Sequence, residues 1–321
     1  MKIKYKIPSK LYSLDIDSEK LVELCVEGNN FFNQVLEVLD TSINENKALL
    51  VYRGERKSCI NDELNFNDDL DDLFCKIFHV GTSSKYFIKS NNFKKYLNNI
   101  NDISNEVFEI IFDKIYKQQK QNDKKNDFKS YFTNIDNKKD FLEKITNLNN
   151  ISRLRVRDYY FSYLHQEAID KNQSSFFVST SKKIKKAEYF AGKKENKIVI
   201  FYFLSKPYID LAIYSKNKQY LKNYCEKNNL QTYKAPYPKQ DEISVKGALF
   251  PDNILGVTSY INEEEVFIVN PYLFYYYDNH LENFIKEGLP VNQEKFYENL
   301  LKVNGKGILL YDSNNKFEEI R

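Results

Sequence analysis

The chain has 321 residues, enough for one large domain or two ordinary ones, and 42% of them are hydrophobic, so a substantial core is expected. Nine Gly and seven Pro argue against a turn-rich repeat protein, and a net charge of +3 neither demands nor excludes a nucleic-acid partner. The four cysteines, Cys25, Cys59, Cys75 and Cys225, form no CxxC pair, which argues against a zinc site or disulfide framework and for reduced, mostly packed thiols.

Asn, Lys, Ile and Tyr are abundant while Arg is rare, a bias that fits AT-rich coding, so lysine richness as such carries little weight. The leading MKIKYKIPSK is followed by an acidic stretch rather than an apolar run, and no window reaches the length of a membrane span. The expectation is a soluble cytoplasmic protein with no membrane partner, or one delivered into a target cell without a cleavable signal.

Taken in order, residues 1–14 read as a leading strand or arm. Asp17 or Ser18 can cap a helix carrying Leu21, Leu24, Phe31, Phe32, Val35, Leu36 and Leu39, with a break at Gly28-Asn29-Asn30. An apolar strand over 48–52 ends in Arg53-Gly54. A polar loop, an acidic helix near 68–78 and a loop over 79–84 that opens with His79 follow. Residues 88–150 are mostly helical and polar, and the helix over 104–117 has an apolar face of Val107, Ile110, Ile111 and Ile115. The charged, low-complexity segment 117–129 reads as a helix end or mobile loop.

A helix over 151–170 opens with Arg153, Arg155 and Arg157, half of all the arginines, and carries Tyr159, Tyr160 and Tyr163. Next, Phe176-Phe177-Val178 forms a strand that stops on Ser179-Thr180-Ser181. A helix follows from Ile184, with Ala187, Tyr189 and Phe190, and Gly192 closes it. Further strands are expected over 197–204, 242–249, 254–260, 265–270 and 307–311, and short helices over 216–227 and 291–302. The segment 60–150 reads as a helical insertion in a single domain spanning 1–321, and 275–321 as a C-terminal α/β extension of its core.

Three stretches invite a chemical reading, and each has a plain structural one. Arg53 ends a buried strand, where a forked guanidinium can meet a phosphate or simply reach solvent. Ser179-Thr180-Ser181 puts hydroxyls at a strand end, where they can line a pocket or cap the next helix. Gln240-Asp241-Glu242 enters a strand in which Ile243, Val245 and Ala248 can face inward, or it is a polar turn.

In this order the three stretches resemble the arginine–serine–glutamate class of ADP-ribosyltransferases, which includes bacterial mono-ADP-ribosylating toxins. That class has an Arg ending the first core strand, an aromatic-hydrophobic-Ser-Thr-Ser strand, and a Gln/Glu-x-Glu on a loop entering a later strand. The resemblance covers about 45–60 and 174–270. It implies an α+β fold with a split two-sheet β core, flanking helices and NAD+ bound in the cleft, with no metal. It further implies that Arg53 binds the phosphates and ribose and that Gly54 offers backbone groups to the nicotinamide amide. Ser179 would bind the nicotinamide ribose and orient Glu242, Thr180 and Ser181 would hold the strand edge, and Phe190 could stack on the nicotinamide. Glu242 would accept from the ribose 2′-hydroxyl and stabilise the oxocarbenium-like cation that forms as nicotinamide leaves.

Gln240 lies two residues before Glu242 and so on the same side of an extended chain, facing the acceptor. A neutral amide both donates and accepts, which suits an amide or a base edge and makes arginine the least favoured acceptor. Tyr237 is a further acceptor-side candidate on the loop over 211–237. The basic run 182–197, the three arginines and Tyr159, Tyr160 and Tyr233 tilt the expectation toward a nucleic-acid base, with an Asn- or Gln-type protein side chain as the alternative. The resemblance implies a bacterial toxin or defence effector, often held by an inhibitor or antitoxin protein. Two further readings stay open: an NAD+ glycohydrolase, and a non-catalytic interaction module.

Overall fold

Strands form where β-branched and aromatic residues run together, and helices where polar residues space the apolar ones. The computed structural model describes residues 4–6, 33–64, 73–74, 76–78, 81–82, 101–120, 126–167, 175–205, 211–233, 235, 241–261, 263–276, 280–289, 308–311 and 317–320. In chain order the strands are β1 (Lys4–Lys6), β2 (Ala48–Arg56), β3 (Phe177–Ser181), β4 (Lys197–Ser205), β5 (Ala212–Tyr214), β6 (Glu242–Lys246), β7 (Ile254–Ile261), β8 (Glu264–Val269), β9 (Ile308–Tyr311) and β10 (Phe317–Ile320). The fold is mixed α+β. The expected helices over 17–32 and 291–302, the loop residue His79, and Tyr237 and Gln240 lie outside the described residues.

The chain divides into two compact units. The first comprises Met1–Lys85, Ser179–Ala212 and Ala248–Lys306, and the second Tyr86–Val178, Ile213–Gly247 and Gly307–Arg321.

In the first unit β4 is central. It pairs antiparallel with β2 from Ala48↔Ser205 to Arg56↔Lys197, and with β7 on its other side, where the register shifts between Phe201 and Tyr202. β8 pairs antiparallel with β7, and β1 adds parallel to β8. Alternation puts Ala48, Leu50, Tyr52 and Gly54 on one face of β2. The Ala48 end of that face packs with Val35 and Leu39 of the helix over 33–44, in a core that also holds Phe203, Leu255, Phe267 and Phe284. The Gly54 end meets the helix Ile184–Ala191, whose Ala187 and Ala191 pack with Val199 and Tyr52.

In the second unit the helix Asn150–Glu167 is buried at every position from Val156 to Tyr163. A helix covered on all sides sits inside its unit rather than on it. Tyr160 packs edge-on against Phe132 and Phe141, and Phe112 contacts the same two rings. The helix Ser215–Lys227 joins through the stacking of Arg155 on Tyr220 and Tyr224. β6 runs beside β5, and β9 and β10 form an antiparallel pair of their own.

The division between the units falls inside β3, between Val178 and Ser179. In the first unit Ser181 of β3 pairs with Tyr52 of β2. In the second unit the Phe176 carbonyl, just ahead of β3, accepts from the amide of Gly247, just past β6.

One expectation changes. The strand over 48–52 does not stop at Arg53 but continues to Arg56, because β4 offers a register partner for every residue of it. The three hydroxyl residues close their strand as expected, being its last three residues.

Candidate functional site

Arg53 and Gly54 are consecutive and therefore point to opposite faces of β2. Arg53 Nη1 donates to the Ser179 carbonyl at 2.8 Å, and its Nε donates to Glu55, which lies two residues on and so on the same side of the strand. Glu55 is buried and Arg53 is about a quarter exposed. The first two motifs of the sequence therefore meet in the first unit: the guanidinium is oriented by a buried carboxylate and fixed to the backbone of the Ser-Thr-Ser strand.

Gly54 owes its missing side chain to packing. A Cβ there would lie 1.7 Å from the Ala187 carbonyl oxygen and 2.9 Å from the Ala191 amide nitrogen. Those atoms belong to helix backbone and cannot step aside cheaply. The glycine lets the helix Ile184–Ala191 sit directly on β2, which explains it without a ligand.

Within the hydroxyl triplet, Thr180 and Ser181 are buried and Ser179 is half-buried. Ser181 Oγ accepts from the Lys183 amide at 3.0 Å, a turn that leads the chain into the following helix. The capping reading is not met: the N-cap position falls on Lys183 with no side-chain bond, and Ser181 instead holds the turn ahead of it, whereas Ser179 contributes its carbonyl to Arg53. Phe190 is 65% exposed and Tyr189 79% exposed, on a helix that packs against Gly54's face of β2, the face opposite Arg53.

The second unit holds Glu242. It opens β6, where every residue is buried, so the strand does not show the one-sided alternation expected for it. Glu242, Ser244 and Lys246 share one face, and Ile243 and Val245 the other. Ser244 Oγ donates to Glu242 Oε1 at 3.0 Å, and His165 Nε2 lies 3.7 Å from the same oxygen. His165 Nδ1 is bonded to the Ser175 hydroxyl, which also accepts from the Phe177 amide at 3.1 Å. A hydroxyl has a single proton, so when Ser175 donates to Nδ1 the neutral imidazole carries its own proton on Nε2, toward Glu242. Nothing local in the sequence marks His165; its proximity to Glu242 becomes visible only once the helix Asn150–Glu167 lies beside β6.

Further along the same face, Lys246 Nζ lies 2.9 Å from Asp158 Oδ2, and Asp158 Oδ1 receives the guanidinium of Arg157 at 2.8 Å. Arg157 Nη1 also donates to the Asp102 carbonyl at 2.8 Å.

These bonds correct the nucleic-acid reading of the 150–167 helix. Arg157 is fully buried. Arg153 donates to the Ile103 carbonyl and Asn105 Oδ1, both at 2.7 Å, and Arg155 stacks on two tyrosines. Tyr159 and Tyr160 are buried as well, and burial pushes both phenols above their ordinary range. Of the tyrosines read as base platforms on this side, only Tyr233 reaches solvent.

Among the described residues no group of three or more His, Cys, Asp or Glu is arranged to hold a metal ion, and no helix is long and apolar enough to cross a membrane. No protein-family model, curated protein or solved structure matches the chain.

Proposed function

We propose that the chain is an NAD+-dependent mono-ADP-ribosyltransferase with the α+β core of that class. The observation that carries the reading is the local setting of β3. Its Ser179–Ser181 end is bonded to Arg53 in the first unit, and in the second unit the residue just ahead of it is bonded to the residue just past the strand that Glu242 opens. An arginine, a hydroxyl strand and a buried carboxylate on successive motifs are the groups that cleavage of a nicotinamide–ribose bond requires.

In this reading Arg53 binds the diphosphate of NAD+ through charge-assisted hydrogen bonds, with Glu55 fixing the plane of the guanidinium. Ser179 binds the nicotinamide ribose. Glu242 accepts from the ribose 2′-hydroxyl. The bond from ribose C1′ to the pyridinium nitrogen breaks, its electron pair neutralises that nitrogen, and the carboxylate stabilises the cation left on the sugar. The acceptor's nitrogen or oxygen then forms the new bond at C1′ and releases its proton. A nucleic-acid base is favoured over a protein amide because Gln240 is neutral and the lysine run 182–194 is exposed. The inward-turned arginines no longer add to that preference. A role in bacterial defence or as a toxin held by an antitoxin belongs to the same proposal.

The test incubates labelled NAD+ with the protein and cell lysate, followed by nuclease or protease, beside Glu242→Gln. Label removed by nuclease and absent with the variant is the expected result. Label removed by protease moves the acceptor to a protein. Free nicotinamide at full rate without any macromolecule indicates a glycohydrolase. Intact NAD+ throughout overturns the proposal.

A further inference from the structure

The outer side of the helix Ile184–Ala191 has a composition that its own packing does not explain. Its inner side is accounted for: Ala187 and Ala191 are buried, seated on Gly54 and Val199. On its outer side stand Tyr189 and Phe190, 79% and 65% exposed, with ring centroids 5.5 Å apart and planes at 80°. Two adjacent large aromatics this open to water are unusual, because each gives up the burial that normally retains it.

Around them the charge is one-sided. Lys182, Lys183, Lys185 and Lys186 precede the pair, Lys193 and Lys194 follow it, and all six are exposed. Six of the thirteen residues 182–194 are lysine, against 48 Lys and Arg in the 321-residue chain, so the density exceeds the general bias. The one acidic residue within the helix, Glu188, is bonded to the buried Lys197 at 3.1 Å and does little to offset its neighbours. Exposed Arg56 lies against Gly192 and extends the cationic face. Four of the lysines crowd the first turn of the helix or the residues just before it, and that turn contains no acidic residue. A helix N-terminus already carries partial positive charge, so lysines clustered there raise the local positive potential further.

We infer that this face binds single-stranded nucleic acid, with the lysines and Arg56 tracking the phosphates and Tyr189 and Phe190 stacking on unpaired bases. Interleaved cations and exposed rings are the two components of a sequence-tolerant single-strand site. A duplex hides the flat faces of its bases from such rings. An anionic membrane is disfavoured because the helix presents only two apolar side chains outward, too little surface for an interfacial helix. The inference goes beyond the transferase reading and does not depend on it, since binding is measured without NAD+.

The experiment is fluorescence anisotropy of a labelled oligothymidine of about 20 nucleotides titrated with the full chain over a range of salt. The wild-type affinity should fall as salt rises, with log affinity against log salt losing about 0.7 per phosphate contact. Tyr189→Ala/Phe190→Ala should weaken binding about tenfold or more with the salt slope retained. Lys182→Gln/Lys183→Gln/Lys185→Gln/Lys186→Gln should make the slope shallower. All these positions are exposed, and matching circular dichroism shows that the variants fold. Because the titration contains no NAD+, a failed transferase assay leaves this measurement intact. Equal affinity in wild type and both surface variants overturns the inference. So does equal binding of a duplex of the same length, or binding to phosphatidylserine vesicles without binding to the oligonucleotide.

Discussion

Arg53 Nη1 donates to the main-chain carbonyl of Ser179 at 2.8 Å, so the bond does not depend on the serine side chain. This separates the structural and chemical contributions of the two residues. Ser179→Ala keeps the carbonyl and should lose less stability than Arg53→Ala, yet lose about 10²-fold or more in NAD+ turnover. Arg53→Ala removes both the proposed phosphate ligand and one tie between β2 and β3, and leaves the buried Glu55 without this partner. It should lose turnover and also about 1–3 kcal/mol of stability. Thermal melts beside nicotinamide-release assays check both. Equal destabilisation by the two variants would contradict this assignment.

His165 stands 3.7 Å from Glu242 and is steadied by Ser175. If it orients the carboxylate through Nε2, a side chain with a donor at a similar reach should substitute for it. His165→Gln should retain turnover within about threefold, and His165→Leu should lose about tenfold or more, chiefly in kcat. The comparison is made at matched folded fractions. Equal loss in both variants would reduce His165 to packing.

Gly54 carries the sharpest steric prediction. An alanine methyl 1.7 Å from the Ala187 carbonyl oxygen requires the helix to lift off β2. Gly54→Ala should cost more than about 3 kcal/mol in urea denaturation or prevent folding altogether. Gly192→Ala is the control. It places a residue with a side chain at φ of 83°, but the nearest atom to its Cβ is the movable Arg56 side chain at 3.4 Å. With ψ of −145° it lies in a backbone region that only glycine visits readily, and the substitution should cost about 1–3 kcal/mol.

Much of this was legible in the sequence, for physical reasons. The strands over 197–205, 254–261 and 264–269 match their expected spans because their β-branched and aromatic runs fit no other element. Arg53, Ser179 and Glu242 stand out through the family resemblance, and the structure joins the first two of them within one unit. What misled was the helix 150–167. Its arginines suggest a cationic surface, but arginine placed beside a continuous Tyr-Tyr-Phe-Ser-Tyr run belongs to a helix with no polar side. Arg157 finds its carboxylate in the next residue, Asp158, and its second contact in Asp102, far away in sequence. Long-range partners of this kind leave no local trace, and the same is true of His165 beside Glu242. The family resemblance points Gly54 toward ligand approach, because the sequence does not show which helix will lie across it.

The buried charges of the second unit make a prediction of unequal costs. Asp158 lies between Arg157 and Lys246, and none of the three side chains is more than 3% exposed. Removing Lys246 leaves the Arg157–Asp158 pair balanced, whereas removing Asp158 leaves two buried cations without their shared carboxylate. Lys246→Met should cost about 1–3 kcal/mol, and Asp158→Asn about 3–5 kcal/mol or more. Urea denaturation at neutral pH reads the difference, and the reverse ranking would mean that Lys246 rather than Asp158 anchors the group.

Cys59 and Cys225 differ in exposure and therefore in reactivity. Cys59 is exposed, whereas Cys225 is fully buried against the helix Asn150–Glu167, and burial, with the nearby Glu226 carboxylate adding to it, pushes its thiol well above the ordinary range. The thiolate is the reactive form, so Cys225 is doubly protected, by lack of access and by lack of ionisation. A maleimide pulse at neutral pH, followed by peptide mass spectrometry, should label Cys59 within minutes and leave Cys225 unmodified until denaturant is added. Tyr159 and Tyr160 line the same interior, so labelling of Cys225 without denaturant would report an opening of the 215–227 helix away from them. Adding the modification pattern of Asp158→Asn then tests whether the buried charges and the thiol belong to one cooperative core, because a shared core should expose Cys225 in that variant at a denaturant concentration the wild type withstands.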